Sequence, residues 1–465
     1  MSEIKEACGV IGIYNNDNLN LAQELYYGIF ALQHRGQESS GMAVSKEGKV
    51  TCIKDMGLVN EVIDKDRIAR LQGELGIGHC RYSAFKDNDA KNAEPLTMTF
   101  AKGTLAVAMN GNIPKADELR TELMEEQGAV FHTDTDAELF AYLIAKKEVA
   151  THLLEDGVRR AMKLVSGAYA LVVMGPKKLV GVRDPLGLKP LCLGKKGNSW
   201  ILASESCAIE SIGGAFIRDL EPGEIVVIDQ NGVASLPYQK ELPKPCPCIF
   251  EYIYFARPDS IIDGQSVYEA RYLAGRILAE RYPVAADIVM PVPDSGIDAA
   301  IGYAEGSGIP YGVGLIKNRY IGRTFIQPDQ VQREEAVRIK LNVLKHTVEN
   351  KRIVLVDDSM VRGTVSRGII KMLKKAGAKE VHMRITAPPF TWPCFFGVDL
   401  PEKKQLAACN YTIEEIRQNL NADSLGFFLN EDLPRIVPNC KLKGFCDACF
   451  NGNYPLPVPL KDEDR

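Results

Sequence analysis

Ile353-Val-Leu-Val-Asp-Asp-Ser-Met-Val-Arg-Gly-Thr-Val-Ser366, continued by Arg367-Gly-Ile-Ile-Lys-Met-Leu-Lys-Lys-Ala-Gly377, is the stretch on which the fold of this chain turns. Its apolar run reads as a buried strand that stops at two acids. A short loop with Gly363 and two hydroxyls, Thr364 and Ser366, then opens a helix expected over Ser366 to Ala376. A helix start offers unpaired backbone N–H groups and the positive end of its dipole, which suits a phosphate. Gly363 lets the backbone come close to such a ligand. In open α/β sheets, ligands sit at the carboxyl ends of strands, where Asp357 and Asp358 fall. Two adjacent carboxylates beside a phosphate repel it unless ribose hydroxyls or a Mg²⁺ ion intervene. Taken alone, the same residues also fit a plain helix cap at Asp358 or Ser359 with no ligand.

Further strands and helices flank this unit. Ala286 to Val292 and Glu380 to Thr386 are apolar runs of strand length, and helical periods cover Val267 to Arg281 and Gly296 to Ser307. Strands alternating with helices predict a parallel α/β sheet. The first half differs. Cys8 to Tyr14, Thr104 to Met109, Ala168 to Met174 and Glu224 to Ile228 read as strands, and helical periods cover Asp136 to Lys147 and Thr151 to Val165. Runs of strands separated by helices predict stacked sheets sandwiched by helices. Asn231 to Pro247, punctuated by four prolines, is the expected domain boundary, and the Pro-, Gly- and Cys-rich tail from about Asn430 is expected to wrap the surface.

The chain has 465 residues, 46% of them hydrophobic and 25% charged, with a net charge of −4. This is ordinary globular composition and gives no basis for nucleic-acid or membrane-surface binding. The N-terminus has no apolar signal core, and no apolar run reaches the roughly 18 residues of a membrane span. A cytoplasmic location is expected. Twelve cysteines in a reducing compartment are buried thiols, nucleophiles or metal ligands rather than a disulfide framework.

The quoted segment resembles the phosphoribosyl-pyrophosphate loop of type I phosphoribosyltransferases. The resemblance implies that Asp357 and Asp358 hold the ribose and its Mg²⁺. It also implies that Val361 to Ser366, with Arg362, Gly363, Thr364 and Ser366, cradle the 5′-phosphate. Val365 stands where a second threonine is usual, so one hydroxyl is lost.

At the other end, Cys8-Gly-Val-Ile-Gly-Ile-Tyr14 follows a seven-residue leader. A cysteine opening a strand is ordinarily a small hydrophobe. If the leader is removed, Cys8 carries a free α-amine of pKa about 8, which can serve as base for its own thiol. His34 to Gly41, Gly78-His-Cys-Arg-Tyr-Ser83, Met109-Asn-Gly-Asn112 and Thr133 to Glu138 follow; each alone is a loop, and Asn110-Gly111 alone is a turn dipeptide. Together they resemble the class II, N-terminal-nucleophile glutamine amidotransferase domain over residues 8 to about 235, with an αββα sandwich. Glutamine hydrolysis passes through an oxyanion, for which the Asn110 side chain and Gly111 amide are suited donors. The resemblance assigns them that role. It places glutamine's α-carboxylate on Arg81 and its α-ammonium on Asp136. Ala84, Met109, Glu94 and Lys189 depart from the usual Thr, His, Gln and Arg.

The two halves in this order, with Glu251 to Ser260, Val292 to Gly296 and Leu315 to Pro328, resemble the glutamine phosphoribosylpyrophosphate amidotransferases over nearly the whole chain. The resemblance implies a propeptide at 1–7, a glutaminase domain at 8–235, a phosphoribosyltransferase domain at 248–429 and a tail at 430–465. It implies Lys317, Arg319 and Arg323 as pyrophosphate clamps and Ser295 as a third Mg²⁺ ligand. Ammonia would pass internally between the domains, and the product would be phosphoribosylamine. Cys446-Asp-Ala-Cys449 has metal-site spacing. With Cys248 and Cys394, the subfamily resemblance implies a [4Fe–4S] cluster; zinc and scattered buried thiols are the alternatives, and Cys246 and Cys440 lie nearby. A homo-oligomer, tetramer or dimer, inhibited by purine nucleotides is implied. The competing readings are an ammonia-dependent enzyme with an impaired glutaminase and a non-catalytic regulatory relative that binds phosphoribosyl pyrophosphate. A sugar-phosphate aminotransferase fits poorly with the two-aspartate loop.

Overall fold

The computed structural model describes residues 8–17, 20–82, 89–151, 153–318, 341–400 and 402–460. The first half builds two antiparallel sheets. The seven-stranded sheet runs, edge to edge, Ala215–Asp219, Cys192–Lys196, Ser199–Ala203, Gly9–Tyr14, Leu75–Arg81, Ser39–Lys46 and Lys49–Met56. The six-stranded sheet runs Gly232–Pro237, Glu224–Asp229, Leu179–Arg183, Ala168–Met174, Gly103–Asn112 and Leu96–Phe100. Strand alternation sends one set of side chains between the sheets: Val10, Ile77, Ala108, Val172 and Val226 are all fully buried there. The other faces take helices. Leu21–Ala31 packs Leu25 and Ile29 onto Ile11 and Ile201, and Asp136–Thr151 with Leu154–Leu164 packs Phe140 and Val158 onto Val107 and Leu171. This is the αββα sandwich expected for the first half.

The second half is the expected α/β unit. Ile288–Pro291, Arg352–Asp357, Glu380–Ile385 and Ser424–Phe427 pair in that order, all parallel. Ile353 through Val356 are fully buried, as continuous apolar strands in a covered parallel sheet must be. A parallel bridge from Val289 to Tyr311 shows that the chain leaves the first strand outward, through helix Ile297–Ser307, before crossing to Arg352–Asp357 on the other side. The direction of winding therefore reverses between Ile288–Pro291 and Arg352–Asp357. Such a switch point opens a crevice at the strands' carboxyl ends. Helix Thr364–Lys375 buries Ile369, Ile370 and Leu373, roughly 2 kcal/mol apiece.

Two segments differ from expectation. Gly232-Val-Ala-Ser-Leu-Pro237, inside the expected boundary, forms an edge strand against Glu224–Asp229. Its proline closes the strand at a sheet edge, where a missing N–H costs little. The tail does more than wrap the surface: Leu433, Ile436, Val437, Cys440 and Phe450 enter the second core. No helix among the described residues is long and apolar enough to cross a membrane.

Candidate active sites and a cysteine-lined cavity

At the switch point, Asp357 ends its strand and Asp358 follows. Their carbonyls accept from Thr386 and Ala387 N–H at 3.0 and 2.8 Å, which moors the start of the loop to the neighbouring strand. Both carboxyls are nearly fully buried, and burial pushes both upward; the neighbouring Asp358 charge adds to the rise at Asp357. The hydroxyls of Ser295 and Ser359 both bond to Asp358, and its Oδ2 is buried with no hydrogen-bond partner among the described residues. An orphaned carboxylate oxygen beside a second buried carboxylate is a site suited to a hard cation, with the Ser295 hydroxyl as a further oxygen. Gly363 adopts φ of 76° immediately before helix Thr364–Lys375, a conformation that favours glycine. Met360 and Val361 in the loop and Ser366 in the first turn of the helix are buried, whereas Arg362 turns outward to Gln405 Oε1 at 2.6 Å. Lys317 Nζ meets Asp294 at 2.6 Å, near the same strand ends. Arg319 and Arg323 lie outside the described residues, as do the leader and Ala84.

The second site lies at the ends of central strands of the sandwich, where Cys8 precedes Gly9–Tyr14 and Arg81 closes its neighbour Leu75–Arg81. Cys8 Sγ sits 3.3 Å from the Tyr82 carbonyl and 3.5 Å from its N–H. Burial, then Glu94, pushes the thiol up to about 11, while Tyr82, Arg81 and Lys189 oppose the rise. A thiol raised in this way needs a base before it can act as a nucleophile. Asn110 and Gly111 lie on strand Gly103–Asn112. Asn110 is fully buried, and neither of its side-chain polar atoms has a hydrogen-bond partner among the described residues. Gly111 has φ of 137°, and a Cβ there would stand 2.0 Å from the Ala168 carbonyl oxygen. Only glycine fits there. Asp136 accepts from Ile113 N–H at 2.8 Å, and Arg81 is buried at its strand's end.

Glu94 and Met109, two of the departures noted in the sequence, prove to be partners. The Glu94 carboxyl accepts from Met109 N–H at 2.8 Å, one residue before Asn110. Burial pushes Glu94 up to about 7. His79 holds the Met109 carbonyl at 2.9 Å, and burial depresses that imidazole to about 3, so it stays neutral. The strand carrying Asn110 is thus clamped on both of its backbone groups.

Arg35, inside the segment His34 to Gly41, and Glu205 carry roles that the sequence did not suggest. Arg35 donates from Nε to the Cys8 carbonyl at 3.1 Å and grips Glu251 of the second half at 2.7 and 3.0 Å. Glu205 also accepts from Arg35, His34, Ser260 and the Arg257 N–H. Despite burial, His34 and Arg35 hold Glu205 well below the usual carboxylate range. Removing Arg35 would leave two carboxylates buried without their cation, a loss on the order of 3–5 kcal/mol. No local sequence signal announces this pairing, because the partners lie 170 and 216 residues away.

Cys248, Cys394, Cys446 and Cys449 line one cavity with Leu188 and Lys189. Cys440 points to the Tyr252 hydroxyl instead, at 3.6 Å, and Cys246 bonds to Cys446 from outside the lining. Burial pushes Cys248 up to about 12 and raises Cys394 and Cys449, whereas Cys446 is raised first by its hydrogen bond with Cys246 and then by burial. Among the described residues, no three metal-ligating side chains are gathered tightly enough for a single ion.

A family profile described as a glutamine amidotransferase domain matches residues 79–211. An amidophosphoribosyltransferase of Methanocaldococcus jannaschii is 45% identical, with 97% of this chain and 98% of that protein covered. One from Archaeoglobus fulgidus is 47% identical at the same coverage. Among solved structures, the glutamine phosphoribosylpyrophosphate amidotransferase of B. subtilis, complexed with ADP and GMP, is similar with a TM-score of 0.89 at 43% identity, over 97% of this chain and 98% of that one.

Proposed function

The chain belongs to the amidophosphoribosyltransferase family, and on that premise we propose how its residues carry out glutamine-dependent amidotransfer to phosphoribosyl pyrophosphate in purine biosynthesis. The products are 5-phosphoribosylamine, glutamate and pyrophosphate. The observation that carries the residue-level reading is Asn110, a buried amide with unmet hydrogen-bonding capacity beside a glycine that admits no side chain.

Once the leader is removed, the Cys8 α-amine takes the thiol proton, and sulfur attacks the glutamine amide carbon. Asn110 Nδ2 and the Gly111 N–H meet the oxyanion, a stabilisation made where charge develops. Collapse expels ammonia and leaves a glutamyl thioester, which water hydrolyses. Arg81 and Asp136 hold the glutamine α-carboxylate and α-ammonium. In the second half, Gly363, Thr364 and Ser366, with Val361 and Arg362, hold the 5′-phosphate, and Lys317, Arg319 and Arg323 clamp the pyrophosphate. Ammonia, carried internally, attacks the anomeric carbon as pyrophosphate departs.

Asp357, Asp358 and Ser295 would hold Mg²⁺, which when bound neutralises phosphate and carboxylate charge in one place. The four thiols around one cavity would hold a [4Fe–4S] cluster with a structural rather than a catalytic part. A tetrahedral zinc needs all four sulfurs within about 3.8 Å of one another, given Zn–S of about 2.3 Å. A four-iron cube takes one thiolate per iron at wider spacing, which agrees better with thiols that do not close on a point. A cytoplasmic homo-oligomer, tetramer or dimer, with purine nucleotides as feedback inhibitors completes the proposal; the Bacillus relative was solved with ADP and GMP.

The test is phosphoribosylamine formation with glutamine and with ammonium salt, for the purified enzyme and for Cys8→Ser. The expected result is product from both donors, with the variant retaining only ammonia. Glutamine use untouched by Cys8→Ser would overturn the residue assignment. Product from ammonia alone in the unaltered enzyme would indicate an impaired glutaminase, and none from either donor a binding protein; full-length relatives of this identity favour neither.

A further inference from the structure

Lys189 is 1% exposed, and its Nζ has no hydrogen-bond partner among the described residues. Its nearest described aromatic partner is the Phe255 ring, 5.8 Å from the ammonium. An ammonium buried without a partner costs several kcal/mol, so such groups persist only beside compensating negative charge. Lys189 lines the cavity of the four cysteines. A [4Fe–4S] core with four thiolates carries a net charge of about −2 when oxidised and −3 when reduced.

The same residue faces the glutaminase. A Cβ on Gly397 would stand 3.2 Å from Lys189 Nζ and 3.5 Å from the Gly111 carbonyl carbon, so this glycine separates the two by one layer of backbone. The segment from Cys394 to Asp399 is pinned across the glutaminase site. Asn112 Nδ2 donates to the Phe395 carbonyl at 2.9 Å, and Tyr82, whose main chain contacts the Cys8 sulfur, donates its hydroxyl to Asp399 at 2.8 Å. One loop therefore carries a cluster cysteine at one end and a wall of the glutaminase site along its length.

We propose that Lys189 is the internal counter-charge of the group held by Cys248, Cys394, Cys446 and Cys449, and the positioning residue through which that group supports the Gly111 corner of the glutaminase. The proposal rests on the iron–sulfur reading of the cavity. A fixed positive charge stabilises the more negative, reduced state more than the oxidised one. Removing it lowers the reduction potential, whereas a change of packing alone moves it no differently for charged and uncharged replacements.

The experiment uses full-length enzyme purified without oxygen: unaltered, Lys189→Met and Lys189→Arg. Iron and sulfide content are measured first, then the midpoint potential by dithionite titration followed by electron paramagnetic resonance. Expected are a more negative potential in Lys189→Met and a potential near the original in Lys189→Arg. If Lys189→Met fails to retain iron while Lys189→Arg retains it, the charge requirement is equally supported. Unchanged potential in Lys189→Met, equal shifts in both variants, or equal loss of iron from both would overturn it. Absence of iron from the unaltered enzyme would sink the iron–sulfur reading itself, a failure separable by the metal analysis alone.

Discussion

Glu94→Gln tests how the glutaminase strand is held. Glu94 is 5% exposed and accepts from Met109 N–H, and burial raises its carboxyl from 4.5 to about 7. A group whose folded pKa lies above its unfolded value binds protons more tightly when folded. Its contribution to stability is therefore fully present below about pH 4.5 and is lost as pH rises through about 7. The loss levels off near 2.5 pKa intervals of about 1.4 kcal/mol each, or about 3 kcal/mol. From pH 5 to pH 8 the accumulated change is about 2.5 kcal/mol. Glutamine in its place keeps an oxygen for Met109 N–H and has no charge to desolvate. The variant should match the parent near pH 4.5 and exceed it by about 2–3 kcal/mol at pH 8. For a unit of some 200 residues that is a Tm gain of roughly 4–12 °C. Glu94 also raises the Cys8 thiol, so iodoacetamide should label Cys8 faster in the variant at pH 8. The assays are thermal denaturation across pH and timed labelling. Parallel Tm curves for the two proteins, with no divergence between pH 5 and pH 8, would refute the placement of a buried, titrating carboxyl behind the oxyanion strand.

Asn110→Ala removes a preorganised donor and should lower kcat with glutamine by about 10²–10³ while leaving the rate with ammonium salt within a few-fold; steady-state assays with both donors check this. Gly111→Ala would drive a methyl to 2.0 Å from the Ala168 oxygen at a φ of 137°. It should destabilise the first half by several kcal/mol and abolish glutamine use, read by calorimetry and by glutaminase assay. Asp358→Asn removes the charge behind the orphaned Oδ2. Amidotransfer with either donor should fall by at least tenfold and need more Mg²⁺ for half-maximal rate, while glutamine hydrolysis alone persists. A Mg²⁺ titration curve that coincides with the parent's would count against this assignment.

Much of this molecule is written in local sequence. The apolar run before Asp357, the acid pair and the glycine opening a helix spell strand, turn and helix, because each depends only on neighbours along the chain. Val267–Arg281 and Arg352–Asp357 begin and end where hydrophobic period and capping residues place them. The cysteine spacing at 446 and 449 and the Asn110–Gly111 dipeptide were visible for the same reason, although each alone had a plainer reading. Gly232–Pro237 escaped notice because a proline-marked, half-exposed edge strand has little apolar alternation to show.

Sequence alone indicated the two kinds of sheet and the order of the halves, and it nominated the side chains proposed to react. Tertiary structure alone decided what surrounds them: that Glu94 and His79 clamp the strand of Asn110, that Arg35 ties the Cys8 carbonyl to Glu251, and that Lys189 is buried between four thiols and Gly111. These are contacts between residues tens to hundreds of positions apart. Burial and the resulting low dielectric give them their strength, and neither exists until the sheets have packed.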